Sequence, residues 1–209
     1  MTEHTDELEK RTKKIREQMG GESRLEKMES EGKPNIRQHI DAILDEGTFQ
    51  EIGTFSRSLR EEDRETTPGD GKIGGEGEID GRPVAIAGDD ITVKRGSSSI
   101  VGSRKTSRLY ERALKMGFPY VYFGETGGGR IPDLIGAEGI SDAMPSPDIA
   151  RRRRLIPMAS VIVGQSFGGS SFHSAFSDFT VQVRGSVLAV TSPRVFEIAT
   201  GEIVSFEEL

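Results

Sequence analysis

The stretch Tyr120-Val-Tyr-Phe-Gly-Glu-Thr-Gly-Gly-Gly-Arg130 decides the fold of this 209-residue chain. It opens with four aromatic or apolar residues, which is typical of a buried strand, and it closes with three consecutive glycines. Glycine adopts positive φ readily and has no Cβ, so a run of it allows a tight loop whose backbone N–H groups approach a bound group. The stretch therefore predicts a strand that ends in a glycine loop.

A second strand and glycine loop follow further along the chain. Residues 159–163 predict the strand, and Gly164-Gln-Ser-Phe-Gly-Gly169 comes directly after it. The neighbouring predicted elements are helices over about 101–116, 169–176 and 193–200 and a strand over about 179–190. Alternation of strands and helices predicts βαβ units with right-handed crossovers in a largely parallel sheet. Ligands of such sheets lie beyond the carboxyl ends of the strands, where both glycine loops are expected.

The first loop does not match a phosphate-binding P-loop. A P-loop needs Lys and then Ser or Thr after its last glycine, and this chain has Arg130 and Ile131 there. Two interpretations of the glycines stay open. They form a tight turn, or they let backbone N–H groups come close to a bound oxyanion or phosphate.

The second loop matches G-x-S-x-G, the nucleophile elbow of serine hydrolases, with Ser166 at its centre. In that fold an acid follows the serine and a histidine follows the acid. Here His173 is the only histidine after Ser166, and no acid lies between them. We therefore expect His173 to be a packed or surface residue and Ser166 not to be a nucleophile. A serine hydrolase stays an alternative.

The N-terminal part of the chain predicts an arm and a helix. Residues 1–33 are mostly charged with sparse apolar positions, which favours a solvated helical arm that packs along one narrow stripe. A cleaner helix is expected to begin at Pro34 and to stop at Gly47.

The next segment predicts a loop followed by β structure. Residues 56–70 are polar and predict an exposed loop. Asp80-Gly81 lies between two strand-like runs, Lys72 to Ile79 and Arg82 to Ala87, which is a strong hairpin signal. Ile91 to Val93 predicts a further strand.

Composition excludes several classes of chemistry. The chain has no Cys and three His, which excludes a disulfide scaffold and a thiolate nucleophile and argues against a metal site. No apolar run approaches 18 residues, and the first residues are charged rather than apolar. We therefore expect no membrane span, no secretory signal and a cytoplasmic location.

The net charge of −6 is unevenly distributed. Residues 1–70 hold 18 acids and 12 bases, whereas residues 71–209 hold 16 of each. Lys94 to Arg112 carries six basic residues against the single acid Glu111, which favours an anionic ligand. The negative net charge and the 6% aromatic content argue against nucleic acid. A small phosphorylated ligand fits better.

Several motifs follow one another in the order and spacing of a known family. They are Asp90-Ile-Thr-Val, the stretch around Lys105, Thr126-Gly-Gly-Gly-Arg-Ile131, Gly168-Gly169, Ser177-Asp-Phe179 and Thr200-Gly-Glu-Ile-Val-Ser-Phe-Glu-Glu-Leu209. Over roughly residues 30–209 the chain resembles the N-terminal half of the beta-type carboxyltransferase subunit of biotin-dependent acyl-CoA carboxylases. That family belongs to the crotonase superfamily, so the resemblance implies an α/β fold with a crotonase-like (ClpP/crotonase) ββα spiral.

The resemblance implies carboxyl transfer from carboxybiotin to the α-carbon of an acyl-CoA, as in acetyl-CoA or propionyl-CoA carboxylase. This reaction passes through an enolate, whose thioester oxygen preorganised N–H donors stabilise. Carried over by position, the donors are Gly128 or Gly129 and Gly168 or Gly169. In the family biotin is thought to take up the α-proton, so the chain need not supply a general base.

The resemblance also implies substrate-binding residues. Lys105 and Arg108 would face the CoA phosphates, and Arg95 and Phe167 are further substrate-binding candidates. Phe167 stands where the family usually has a small residue, so its ring would shrink or reshape the acyl pocket. Gly129 replaces a usual Ala, which leaves a backbone donor intact, and His173 replaces another small residue.

The implied partners are acyl-CoA, a biotin carboxyl carrier protein that holds the biotin, a biotin carboxylase, and a second carboxyltransferase half or further copies of the chain. We expect an arm over 1–33 and an acyl-CoA-binding crotonase-like domain over 34–209 that is incomplete at its C-terminus. Because the family's site lies between two facing domains, we expect an obligate oligomer without stand-alone activity. A noncatalytic or truncated acyl-CoA-binding relative and a decarboxylase subunit stay alternatives.

Overall fold

The structure, a computed structural model, describes residues 3–143, 151 and 155–208. Within them a seven-stranded sheet has the order β1-β2-β3-β4-β5-β6, with β7 paired to β5. The strands are β1 (Gln50–Glu51), β2 (Lys72–Ile79), β3 (Arg82–Asp89), β4 (Tyr120–Thr126), β5 (Met158–Phe167), β6 (Phe179–Gln182) and β7 (Val187–Ala189). Pairings among β1, β2 and β3 are antiparallel, and those from β3 onward are parallel. The prediction of a largely parallel sheet with flanking helices is confirmed.

The described helices cover both faces of the sheet. They are α1 (Glu3–Gln18), α2 (Glu22–Ser30), α3 (Ile36–Ile43), α4 (Ile100–Met116), α5 (Ile131–Leu134), α6 (Ala137–Ala143), α7 (Gly169–Phe176) and α8 (Pro193–Thr200). Short 3-10 turns cover Glu61–Thr66, Pro68–Gly71 and Lys94–Gly96.

Two apolar clusters hold the helices to the sheet. On one face, Leu109 and Tyr110 of α4 pack with Tyr120 and Tyr122 of β4. The other cluster joins α3 and the end of the arm to the opposite face, and its members are Met19, Ile36, Ile40, Leu44, Ile73, Val84, Ile86 and Phe123. Alternate residues of β4 thus point into different clusters, as expected of a strand buried on both faces.

The hairpin prediction is confirmed, although its second strand continues to Asp89, two residues further than predicted. Ile79 pairs with Arg82 across the turn, and Lys72 pairs with Asp89 at the far end. Asp80 and Gly81 both have positive φ, which is the backbone that a two-residue hairpin turn requires.

Of the two helices expected before and after the hairpin, one matches its prediction closely. α4 is capped by the Ser99 hydroxyl, which accepts the Gly102 N–H, and it ends at the left-handed Gly117. α3 is shorter than expected, because Asn35 caps it in a capping box with Gln38 and Leu44 returns to extended backbone. The predicted start of this helix at residue 34 and its predicted end at residue 47 are therefore both wrong.

Two local predictions are wrong. Ile91 to Val93 forms a turn rather than a strand, because the Asp90 carboxylate accepts the N–H of Thr92 at 3.0 Å. Residues 56–70 are not an exposed loop, since they contain two 3-10 turns and bury Ser58, Thr67 and Asp70.

The strand predicted over 179–190 is two strands, β6 and β7. The chain turns between them at Gly185, which has positive φ, and the Ser186 N–H donates to the Val183 carbonyl at 2.9 Å.

The helical arm consists of α1 and α2 and is anchored at the bend between them. Met19 is buried in the second cluster, and the Gly20 N–H donates to Thr92 Oγ1 at 2.9 Å. The arm therefore packs against the sheet domain through this bend, and the domain boundary at residue 33 stays a prediction.

Candidate functional site

The two glycine loops lie side by side at the carboxyl ends of β4 and β5. The second loop is shorter than predicted, because β5 continues through Phe167 and leaves only Gly168 and Gly169 beyond the strand. The strands β4 and β5 are parallel neighbours, and Thr126 pairs with Ser166 at their ends. A Cβ on Gly168 would lie 3.8 Å from the Cα of Gly128. A Cβ on Gly169 would lie 3.7 Å from the Ser98 hydroxyl, and Ser98 is bridged to Gly129. The structure thus brings the four predicted glycines to one place.

The backbone N–H groups of these glycines differ in their partners. The Gly128 N–H donates to Thr126 Oγ1 at 3.1 Å, and the Gly168 N–H donates to the Val190 carbonyl at 3.1 Å. Within the described residues, the N–H groups of Gly129 and Gly169 have no acceptor. Each predicted pair therefore contains one engaged amide and one that is available to a ligand.

The segment before α4 fixes the first loop. The Arg95 carbonyl in this segment accepts the Gly127 N–H at 2.9 Å. The Ser98 N–H donates to the Gly128 carbonyl at 2.9 Å, and the Ser98 carbonyl accepts the Arg130 N–H at 2.7 Å. Because the residues on either side of Gly129 are bonded to this segment, the Gly129 N–H needs little reorganisation when negative charge develops next to it.

A buried ion pair lies beneath the first loop. Arg130 is only 6% exposed, and its Nη1 is 2.6 Å from Oδ1 of Asp70. The second carboxylate oxygen of Asp70 accepts the Gly102 N–H at 2.9 Å and the Ser99 hydroxyl. One carboxylate thus joins the first loop to the N-terminus of α4.

Asp89 ties the ends of β3 and β4 together in a similar way. Its carboxylate pairs with Lys72 and accepts the Tyr122 hydroxyl at 2.8 Å and the Glu125 N–H at 3.1 Å. Burial, with a smaller contribution from Asp89, raises the pKa of Tyr122 well above its usual range. Tyr122 therefore stays a neutral donor at ordinary pH.

The second loop leads directly into α7. Gly168 has a φ of 63°, and its carbonyl accepts the Ser171 N–H at 3.0 Å. Gly169 is the first helical residue, so its free N–H lies at the positive end of the α7 dipole. This orientation favours an oxyanion over a neutral group.

Ser166 and His173 do not form a nucleophile and base. The Ser166 hydroxyl is buried and donates to Ser170 Oγ at 2.6 Å. The His173 ring stacks on Tyr122 with centroids 4.3 Å apart, and its Nδ1 lies 3.1 Å from the Gly169 carbonyl. Burial lowers the pKa of His173. The expectation of a packed histidine is confirmed.

Lys105 lies in an unexpected environment. Its Nζ donates to the carbonyls of Lys72 at 2.6 Å and Gly53 at 3.2 Å, and the side chain is buried. Burial lowers the pKa of Lys105 to about 8. Contact with a CoA phosphate requires the ammonium to leave these carbonyls, so the predicted phosphate role of Lys105 stays untested.

The other predicted substrate-binding residues have distinct positions. Arg108 is exposed on α4, with no ion pair among the described residues. Arg95 is exposed beside the first loop, and its Nη2 lies 3.4 Å from Oε1 of Gln165. Phe167 is buried and stacks on Phe206 with centroids 6.3 Å apart.

The backbone of Arg95 is strained. Its φ is 60°, a left-handed conformation that costs a non-glycine residue about 1 to 2 kcal/mol. The sequence does not indicate this strain. A positive φ is rare for arginine, so an arginine at this position gives no reason to predict one.

Glu125 is a site carboxylate that the motifs did not single out. It follows Gly124 in β4, and its side chain lies so close to Gly164 that an added Cβ there would displace it. Burial, followed by the charge of Asp89, raises its pKa. In the sequence, Glu125 comes directly after Gly124 and shortly before the glycine loop, and this position was the available signal.

Metal ligands and membrane spans are absent from the described part of the chain. It contains no cluster of three or more His, Cys, Asp or Glu side chains that could hold a metal ion. It also has no helix that is both long and apolar enough to cross a bilayer.

The mixed sheet with paired donor loops defines a protein of the crotonase-like α/β class. Solved structures of carboxyltransferases share this fold over the whole chain. A transcarboxylase 12S subunit, solved with methylmalonyl-CoA and methylmalonic acid bound, has a TM-score of 0.87 and 31% identity, covering 100% of this chain and 41% of that one. The beta subunit of geranyl-CoA carboxylase from P. aeruginosa has a TM-score of 0.80 and 26% identity, covering 98% of this chain and 38% of that one.

The chain belongs to the carboxyl transferase domain family, whose profile matches residues 27–209. The methylmalonyl-CoA carboxyltransferase 12S subunit of Propionibacterium freudenreichii subsp. shermanii is 34% identical, over 91% of this chain and 37% of that protein. The propionyl-CoA carboxylase carboxyltransferase subunit of Haloferax mediterranei is 35% identical, over 100% of this chain and 41% of that protein. The methylmalonyl-CoA decarboxylase subunit alpha of Veillonella parvula is 34% identical, over 91% and 38%. The chain thus spans about two fifths of the length of these relatives.

Proposed function

We propose that the chain is a component of a biotin-dependent acyl-CoA carboxyltransferase. It would hold an acyl-CoA while a carboxyl group passes between biotin and the α-carbon of the thioester. The observation that carries the proposal is the meeting of two glycine loops, each with one backbone N–H that has no acceptor among the described residues. Family membership and relatives named as propionyl-CoA and methylmalonyl-CoA enzymes support it.

In this proposal Gly129 and Gly169 donate to the thioester oxygen. Loss of the α-proton moves negative charge onto that oxygen, and both donors then form stronger, charge-assisted hydrogen bonds. One such donor typically contributes about 3 to 4 kcal/mol to stabilisation of the transition state. The enolate carbon then forms its bond to the incoming carboxyl carbon.

The residues around the loops fit a cofactor that brings its own proton acceptor. Ser166 is bonded to Ser170, and His173 is half-buried with a lowered pKa and bonded to the Gly169 carbonyl. Neither is available as a general base. Biotin on a separate carrier protein would supply the carboxyl group and take the α-proton. Residues 127–129 and 168–169 would hold and orient the thioester.

A second protein surface would complete the site. Apolar side chains lie exposed across the C-terminal half of the described chain, among them Leu155, Phe179, Ile198 and Ile203. Large apolar side chains exposed in this number favour an interaction site. A second carboxyltransferase-type domain, from another chain or another copy, is the partner that we propose. The related transcarboxylase 12S protein forms a hexamer assembly.

Decarboxylation is a second candidate function. The relative from Veillonella parvula is named as a methylmalonyl-CoA decarboxylase subunit. A Pseudomonas malonate decarboxylase hetero-tetramer, solved with malonate, also matches with a TM-score of 0.69 and 26% identity, covering 80% of this chain and 64% of that one. The same two donors would stabilise the enolate that forms when an α-carboxyl group leaves.

The test uses the assembly that co-purifies with the tagged chain from its own cells. Carboxyl transfer from carboxylated biotin carrier to acetyl-CoA and propionyl-CoA is measured for the wild type and two variants. Gly169→Pro removes the N–H at the first helical position, where proline is tolerated, and should lower the transfer rate about 100- to 1000-fold. Gly169→Ala keeps the N–H and serves as the control, because its Cβ would make only an ordinary contact with the Ser98 hydroxyl at 3.7 Å.

A wild-type assembly that neither binds acyl-CoA nor transfers a carboxyl group would overturn the proposal. Equal rates for Gly169→Pro and Gly169→Ala would remove Gly169 as a donor. Ser166→Ala should keep the transfer rate, and covalent labelling of Ser166 by a fluorophosphonate would support the hydrolase instead.

A further inference from the structure

Three consecutive serines, Ser97, Ser98 and Ser99, lie in the segment that leads into α4. The hydroxyl groups of the outer two have structural partners. That of Ser97 donates to the Lys94 carbonyl at 2.6 Å, and that of Ser99 donates to Asp70 and caps α4. The middle serine, Ser98, is half-buried, and its hydroxyl has no hydrogen-bond partner within the described residues. This hydroxyl is therefore available to a ligand.

Main-chain bonds hold Ser98 against the first glycine loop. Its N–H donates to the Gly128 carbonyl at 2.9 Å, and its carbonyl accepts the Arg130 N–H at 2.7 Å. The two bonds form a parallel bridge between Ser98 and Gly129, whose own N–H is one of the two free donors of the site. The position of Ser98 thus does not depend on its hydroxyl.

The Ser98 side chain reaches the second glycine loop. Its Oγ lies 3.7 Å from the place that a Cβ on Gly169 would take. Apart from the chain neighbours of Gly169, no other side chain of the described residues comes within 4 Å of that place. Gly169 carries the other free N–H of the site. One residue therefore contacts the first loop through its main chain and approaches the second through its hydroxyl.

The position and the chemistry of this hydroxyl suit a developing oxyanion. An oxygen that accepts from the N–H groups of both Gly129 and Gly169 has to lie between the two loops. A serine hydroxyl rotates about its C–O bond, so its proton can be directed at an acceptor that arrives there. Side-chain hydroxyl groups act beside backbone N–H groups in oxyanion holes, where they stabilise charge that develops in the transition state.

We propose that Ser98 is a third donor to the thioester oxygen, beside the N–H groups of Gly129 and Gly169. This inference rests on the proposed function, because it adds a side chain to the same site. Ser98 keeps its proton and forms no covalent bond. When the α-proton leaves, the hydrogen bond from Ser98 becomes charge-assisted and shares the negative charge of the enolate oxygen. Ser98 therefore contributes mainly to the rate and less to binding of the neutral thioester.

The first measurement is steady-state kinetics of the assembly that co-purifies with the tagged chain. Ser98→Ala removes the hydroxyl and keeps the main-chain bonds. It should lower kcat for carboxyl transfer to acetyl-CoA about 10- to 100-fold and change KM little. Ser103→Ala is the matched control, because Ser103 is also half-buried and lies within α4, and it should keep both values. Both variants should unfold at the temperature of the wild type, since the Ser98 hydroxyl has no partner in the described part of the chain.

The second measurement detects the hydrogen bond without catalysis. Acetyl-CoA and its ethyl thioether analogue, S-ethyl-CoA, differ only in the carbonyl oxygen that Ser98 would contact. Calorimetry gives the affinity of the assembly for each ligand. The wild type should prefer acetyl-CoA, and this preference should fall about two- to tenfold in Ser98→Ala but stay the same in Ser103→Ala.

The outcomes separate this inference from the proposed function. If the wild-type assembly transfers carboxyl groups and Ser98→Ala does so at the same rate, the inference is wrong and the proposed function stands. If Ser98→Ala weakens acetyl-CoA and the thioether equally, Ser98 only packs against the ligand, and the inference is again wrong. A wild-type assembly that neither binds acetyl-CoA nor transfers a carboxyl group overturns the proposed function and, with it, the role of Ser98.

Discussion

Asp70 and Arg130 form a buried ion pair that links the first glycine loop to the start of α4, with Nη1 and Oδ1 2.6 Å apart. A charge left unpaired in such a place is costly, because the interior solvates it poorly. Asp70→Asn should therefore lower the free energy of unfolding by about 3 to 5 kcal/mol. Urea denaturation measures this loss.

An exposed ion pair provides the matched control for this variant. Arg194 and Glu197 are 2.8 Å apart on α8, and the Arg194 side chain is largely exposed. Glu197→Gln should change the free energy of unfolding by less than about 1 kcal/mol. Similar losses for Asp70→Asn and Glu197→Gln would contradict a special role of the buried pair.

Replacement of Arg95 should separate stability from binding. Because Arg95 has a φ of 60°, Arg95→Gly removes strain and should raise the free energy of unfolding by about 1 kcal/mol. If Arg95 contacts the substrate as the sequence predicts, the same variant should bind acyl-CoA more weakly. Thermal denaturation and calorimetry measure the two effects, with Arg82→Ala, on the exposed end of β3, as the control. Unchanged affinity would remove Arg95 from the binding residues.

The lowered pKa of Lys105 predicts a pH dependence of stability. Its pKa is about 8 in the folded chain and 10.5 as the ordinary value, so between these pH values the unfolded chain binds more protons. The free energy of unfolding should therefore rise with pH from about 8 to 10.5 through this group. Lys105→Met should lack that rise in denaturation curves taken across the range, and identical slopes would refute the assignment.

Lys105 also allows a direct test of the phosphate role that the resemblance implies. Charge reversal at Lys105 and Arg108 should weaken CoA binding, most strongly at low salt, if their side chains meet the phosphates. An effect of Lys105→Glu alone needs comparison with its unfolding curve, because the side chain is buried. Arg108→Glu is exposed and gives the cleaner measurement.

Assembly gives a further prediction. The exposed apolar surface of the C-terminal half should bring chains or partners together, so light scattering of the purified chain should give a mass above that of one copy. The chain alone should transfer no carboxyl group from carboxybiotin. An active, well-folded monomer would contradict the proposed need for a second domain.

The sequence predicts the loops and the sheet well because their signals are local. Three glycines after an aromatic run fix a strand end, and Asp80-Gly81 fixes a hairpin, whatever surrounds them. The adjacency of Gly128 and Gly168 follows from the parallel order of two successive strands. The sequence does not show which glycine N–H groups are free, since that depends on Thr126 and Val190 as acceptors.

Residues whose role depends on tertiary contacts could not be placed from the sequence. Asp70 lies in a Pro-Gly-Asp-Gly segment that is typical of an exposed turn, yet Arg130, sixty positions away, buries it. Lys105 sits in a basic helix that suggests solvent exposure, but the 53–72 segment supplies carbonyls that enclose its ammonium. Charge patterns report composition along the chain and carry no information about which partner a fold supplies.

The edge strand β6 has a consequence for how the chain on its own behaves in solution. Its sequence, Phe179-Thr-Val-Gln182, contains no charge and no proline, and all four residues are exposed, with Phe179 at 66%. Such an edge lacks the features that keep strands of different molecules from pairing. Newly made chains should therefore precipitate or form irregular associations at high concentration. Val181→Lys should increase the soluble yield.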